Sequence, residues 1–121
     1  MKKSIILLPI ILFALQCNSP KPVESSAQQT ELNIKNQVES GAFVVDVRTP
    51  EEFAEGSYPG AVNIPLNEIE SRVGEFKNKP SVVVFCKTGN RSGQAKEILE
   101  KNGIKSVTNG INVQNMEKEM K

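Results

Sequence analysis

Val82-Val83-Val84-Phe85-Cys86-Lys87-Thr88-Gly89-Asn90-Arg91-Ser92-Gly93-Gln94 reads as a buried strand, a tight turn and the start of a helix. The apolar, β-branched run brings Cys86 to the end of the strand. The turn is rich in residues that tolerate unusual backbone angles, and a helix follows it. Successive backbone N–H groups in such a turn, together with the helix N-terminus, form a pocket of positive potential. Such a pocket lowers a thiol's pKa and accepts an anion on the sulfur. Lys87 and Arg91 add two cations in or beside it. The stretch predicts a cysteine nucleophile.

Outward from this strand, helix and strand signals alternate from about residue 30. Leu32, Ile34 and Val38 support a first helix that stops at Gly41. Phe43-Val44-Val45-Asp46-Val47 is a mostly apolar run, as expected of a parallel strand covered on both faces. Thr49-Pro50-Glu51-Glu52 has the capping-box pattern with proline at the first helical position, and that helix ends near Gly56. Ala61 to Ile64 predicts a second strand, and Asn67 to Val73 a helix that turns Ile69 and Val73 inward. Ser81 to Phe85 is the expected central strand. From Ser92 to Asn102, Ala95, Ile98 and Leu99 share a helix face, Glu97 and Lys101 are spaced as an i,i+4 pair, and Gly103 supplies the stop. Ile104 to Val107 predicts a last strand and Val113 to Met120 a last helix. This order implies an α/β fold with a parallel sheet. A ligand site then belongs at the carboxyl ends of the strands, where Cys86 stands.

The N-terminus reads differently. Met1-Lys2-Lys3 is a basic start, and Ile5 to Leu15 is an apolar stretch of eleven residues interrupted by Pro9. That is too short to span a bilayer, which takes about 20 apolar residues, but it fits an export signal. Ala14-Leu15-Gln16-Cys17 resembles a bacterial lipoprotein signal, which implies a signal peptide over 1–16 and lipidation of Cys17. An ordinary secreted protein and an uncleaved anchor are the alternatives. Polar, proline-containing sequence over 17–29 predicts a flexible tether, leaving 30–121 as one domain. Loss of 1–16 removes Lys2 and Lys3 and no acid, so thirteen basic residues face fourteen acidic ones. Nucleic-acid binding has no electrostatic support at that balance. The expected location is the periplasm or cell envelope.

Three segments, taken together, carry a family resemblance. Gly41 to Phe53, Pro59-Gly60-Ala61-Val62-Asn63-Ile64-Pro65 and Cys86-Lys87-Thr88-Gly89-Asn90-Arg91-Ser92 closely resemble the single-domain rhodanese-like proteins, in order and in spacing. The resemblance spans about residues 30 to 115. It implies a three-layer α/β fold, a central parallel sheet flanked by helices, and a thiosulfate sulfurtransferase activity. It also implies Cys86 as nucleophile and persulfide carrier, with the backbone of Lys87, Thr88, Gly89, Asn90 and Arg91 as the anion cradle. The implied partners are a donor such as thiosulfate and a thiol or cyanide acceptor. No cofactor or metal is implied, and the protein is expected to act as a monomer.

The chemistry of the residues leads the same way. Thiosulfate is a dianion and its cleavage releases sulfite, so the site has to accept and release negative charge, as preorganised N–H groups and fixed cations can. The chain has no histidine. That excludes a Cys–His protease, a His-ligated metal site and a histidine general base, and leaves loop electrostatics to sustain the thiolate. Four residues separate Cys86 from Arg91, the length of the sulfurtransferase loop. The related phosphatases use one residue more, so sulfur transfer is favoured over a phosphatase or arsenate-reductase activity. A non-enzymatic sulfur-relay or binding module is the other alternative. With Cys17 lipidated, Cys86 has no disulfide partner, and an unpaired thiol in an oxidising compartment needs a task.

Asp46, Arg48 and Glu52 could pass for catalytic groups. Beside a capped helix they read instead as a buried ion-pair network, in which removal of one partner strands a charge. Thr88 and Asn90 shape the loop, and Ser57 and Tyr58 are structural or rim positions. Asn109-Gly110-Ile111-Asn112-Val113 departs from the double glycine and tryptophan usual in the family.

Overall fold

The computed structural model describes residues 33–121. The expectations for the export signal, for Cys17, for the tether and for Leu32 therefore lie outside the described residues.

In chain order the elements are α1 (Ile34–Glu39), β1 (Phe43–Asp46), α2 (Pro50–Ala54) and β2 (Val62–Asn63), two 3-10 segments (Leu66–Glu68 and Glu70–Phe76), β3 (Val82–Phe85), α3 (Asn90–Lys101), β4 (Val107–Ile111) and α4 (Val113–Glu119). The four strands form one sheet in the order β2-β1-β3-β4. Every pairing is parallel, with Val45 opposite both Val62 and Val84.

Alternation along β3 assigns its side chains to two layers. Val82 and Val84, with Cys86 beyond the strand end, pack with Ala95 and Leu99 of α3, with Ile69 between the 3-10 segments and with Phe76 at the end of the second. Val83 and Phe85 face the other way, onto Ile34 of α1 and Met116 of α4. A strand buried on both faces has no polar side to show, which is why its sequence is a continuous apolar run. The α/β architecture of helix, parallel sheet and helix follows from these two clusters.

Three local expectations are corrected. The last strand is Val107–Ile111, not Ile104 to Val107. Gly103 takes φ +91, and the Ile104 N–H still bonds back to the Leu99 carbonyl at 3.0 Å, so the helix-ending turn occupies those residues. The helix expected over Asn67–Val73 is two 3-10 pieces that meet at Ile69, and Arg72, at φ −115 and ψ 22, kinks the second. The ion pair on α3 joins Lys96 to Glu100 at 3.6 Å, whereas Glu97 and Lys101 form none.

β4 carries a bulge, uncommon between parallel strands. Val84 pairs with Asn109, while Phe85 pairs with Ile111, leaving Gly110 as the extra residue. A Cβ at Gly110 would lie 3.1 Å from Val83 Cγ1, besides closing on Met116 Sδ. Ile111 takes φ +72 just beyond it.

Candidate active site

β3 ends at Phe85, and Cys86 follows at the carboxyl edge of the sheet, 1 % exposed. Its N–H bonds to the Ile111 carbonyl at 3.0 Å, so β4 fixes the backbone that carries the thiol. The chain then turns through Lys87 and Thr88 to Gly89, which takes φ +94. Glycine makes that left-handed turn without the steric cost of a Cβ. Asn90 opens α3.

The turn wraps the sulfur. Sγ of Cys86 accepts the Gly89 N–H at 3.0 Å and the Ser92 N–H at 3.4 Å, and the Ser92 hydroxyl oxygen also stands at 3.4 Å. Gly89 has no side chain with which to cap α3. Sγ takes that acceptor's place and receives an N–H of the first helical turn. Burial pushes the Cys86 thiol up. Hydrogen bonding by Ser92 and by the N–H groups of Thr88 and Gly89 outweighs that effect, leaving the thiol below its ordinary value.

The predicted cradle residues are distributed around this loop. Lys87, Thr88 and Asn90 are exposed on it. Arg91 turns toward α2, where its terminal nitrogens bind both Glu52 carboxylate oxygens at 2.8 and 3.1 Å. The Arg91 charge is thus held against a carboxylate rather than standing alone in the pocket.

The structural trio divides. Asp46, fully buried, accepts the Arg48 N–H at 3.0 Å, the Arg48 side chain through Nε and Nη2 at 2.7–3.0 Å, and the Ser57 hydroxyl at 2.8 Å. Arg48 also donates to the Gly56 carbonyl at 2.7 Å. This clamp closes the segment between β1 and β2. Glu52 lies outside it: it completes the capping box with Thr49 and holds Arg91. Tyr58 packs edge-on against Phe85, with ring centres 6.5 Å apart.

Ser92 and Asn109 border the thiol without having been selected from the sequence. Ser92 stood in the quoted motif as a helix-start residue, and its position in the first turn was the available signal. Asn109 meets the loop from its place in β4, opposite Val84. Among the described residues no three of His, Cys, Asp or Glu are grouped so as to hold a metal ion.

The site is thus a buried thiol, held by main-chain N–H groups at a helix start on the carboxyl edge of a parallel sheet in an α/β fold. The chain belongs to the rhodanese-like domain family, whose model matches residues 26–117. Over 67 residues it is 42 % identical to the thiosulfate sulfurtransferase PspE of Escherichia coli, a match covering 54 % of this chain and 64 % of that protein. It is also 39 % identical over 67 residues to a sulfurtransferase of Allochromatium vinosum, covering 55 % of this chain and 63 % of that protein. The chain therefore spans just under two thirds of these curated relatives. A solved rhodanese from E. coli, described with anions, superposes at TM-score 0.57 with 37 % identity, over 61 % of this chain and 89 % of that one.

Proposed function

We propose that the protein is a sulfurtransferase that takes a sulfane sulfur from thiosulfate, or a similar donor, and carries it on Cys86 as a persulfide. The observation that supports this most directly is the ring of N–H donors from Gly89 and Ser92 on a thiol at the start of a helix. In the proposed reaction the Cys86 thiolate attacks the outer sulfur of thiosulfate. The donor's S–S bond breaks with its electron pair, sulfite leaves, and the transferred sulfur remains as Cys–S–S⁻. An acceptor thiolate or cyanide then attacks that terminal sulfur and leaves with it, restoring the Cys86 thiolate. Negative charge is conserved at each step. The loop backbone from Lys87 to Arg91 is the anion cradle, with Lys87 as its exposed cation and Arg91 shielded by Glu52.

Intact-mass measurement tests this reading. Protein treated with thiosulfate should gain one sulfur atom and lose it to cyanide, and Cys86→Ser should gain none. Absence of the adduct on the parent protein would overturn it. Turnover of aryl phosphate or arsenate without sulfur uptake would move the site to the phosphatase class. The proposed setting is the bacterial envelope, with Cys17 as lipid attachment; palmitate label present in the parent chain and lost in Cys17→Ser would support it.

A further inference from the structure

Asn109 of β4 has no part in the sulfur-transfer scheme, yet three hydrogen bonds converge on its amide. Nδ2 donates to the Gly89 carbonyl at 3.0 Å. Oδ1 accepts the Ser92 hydroxyl at 2.7 Å and the Ile111 N–H at 2.9 Å. These neighbours fix the amide's orientation, since the reverse would set NH2 against an N–H and oxygen against a carbonyl. Ser92 Oγ therefore faces an acceptor.

A hydroxyl has one proton. At 2.7 Å from Asn109 Oδ1 and 3.4 Å from Cys86 Sγ, the Ser92 proton belongs to the shorter contact. The sulfur then meets a lone pair of Oγ. That arrangement suits a protonated thiol, which can donate to Oγ. A thiolate gains the hydroxyl only if it turns away from Asn109. The N–H groups of Gly89 and Ser92 have no such freedom, because the turn and the helix fix them.

We propose that Asn109 is a positioning residue for Cys86: Oδ1 withholds the Ser92 proton from the sulfur, while Nδ2 holds the carbonyl of Gly89, the residue whose N–H meets Sγ. The proposal rests on Cys86 being the reactive thiol of the sulfur-transfer reading. Its consequence is a thiolate sustained by main-chain donors, with the Ser92 hydroxyl contributing only when Asn109 releases it. Around the thiol, Arg91 of α3 is bound to Glu52 of α2, Asp46 at the end of β1 is bound to Arg48, and Lys87 is exposed in the loop. The variants below leave all five in place.

The test is a cycle of Ser92→Ala and Asn109→Ala, read as the rate of Cys86 alkylation by iodoacetamide across pH, with far-ultraviolet thiolate absorbance as a second readout. In the parent protein Ser92→Ala should change alkylation below the thiol midpoint by less than about twofold. In the Asn109→Ala background, where the hydroxyl is free to donate, Ser92→Ala should slow it about tenfold, the scale of one hydrogen bond to a charged group. Equal slowing in both backgrounds, or greater slowing in the parent, would overturn the proposal. Should Asn109→Ala lose its fold by circular dichroism, Asn109→Gly takes its place in the cycle. Sulfur uptake from thiosulfate is followed in parallel. Its absence in the parent sinks the sulfur-transfer reading but leaves the alkylation cycle interpretable.

Discussion

At Cys86 burial and hydrogen bonding act against each other, and the hydrogen bonds prevail. A thiol whose value is lowered stays ionised to lower pH, so the reactive form is present above the midpoint and is lost as pH falls through it. The alkylation midpoint is expected below the roughly 8.5 of a free cysteine; a midpoint at or above that would show that the loop donors do not sustain the thiolate. Gly89 supplies one of those donors from φ +94, where a Cβ would also stand 3.2 Å from Ile111 Cγ2. Gly89→Ala should cost about 1–2 kcal/mol through the left-handed angle, measured by denaturant unfolding. It should also raise the alkylation midpoint by displacing the N–H. At this scale Cys86 and its glycine turn were legible, because strand end, turn and helix start are contiguous in the chain. Asn109 was not, since its partners in the loop and in α3, Gly89 and Ser92, lie 20 and 17 residues away.

The short helix α2 shows how an element is fastened. Glu52 Oε1 accepts the Thr49 N–H at 3.0 Å and also Arg91 at 2.8 Å, so one carboxylate caps α2 and ties it to the start of α3. The Arg91 hydrogen bond, aided by the Thr49 N–H, holds the Glu52 carboxyl at about 2, well below the ordinary 4.5. A lowered carboxyl stabilises the folded state above its unfolded value, and that stabilisation disappears as pH falls through the folded one. Glu52→Gln should therefore lower Tm at neutral pH, and the gap from the parent should shrink between about pH 4.5 and 2. A gap that stays constant across that range would show that the ion pair is not its source. The capping box was legible because it is local. Its tie to Arg91 spans 39 residues, and the sequence grouped Glu52 with nearby Asp46 and Arg48 instead.

On the scale of the molecule, α3 couples the site to the core. Leu99, fully buried, belongs to the same apolar cluster as Cys86, Val84 and Ala95. Leu99→Ala should cost about 2–5 kcal/mol, read by denaturant unfolding, and the displaced helix should also weaken the Ser92 contacts to Sγ. A loss under 1 kcal/mol would mean that the layer on this side of the sheet carries less of the stability than its burial implies. The alternating order of elements, the doubly buried central strand and the cysteine at its end were determined by the sequence alone, because hydrophobic period, capping and turn chemistry act over a few neighbouring residues. Tertiary structure alone decided that Arg91 faces Glu52, that the last strand begins at Val107, and that the pairing of β4 with β3 brings Asn109 onto Ser92. Each depends on which chain segments become neighbours once the sheet is assembled, and spacing along the chain carries no signal of that.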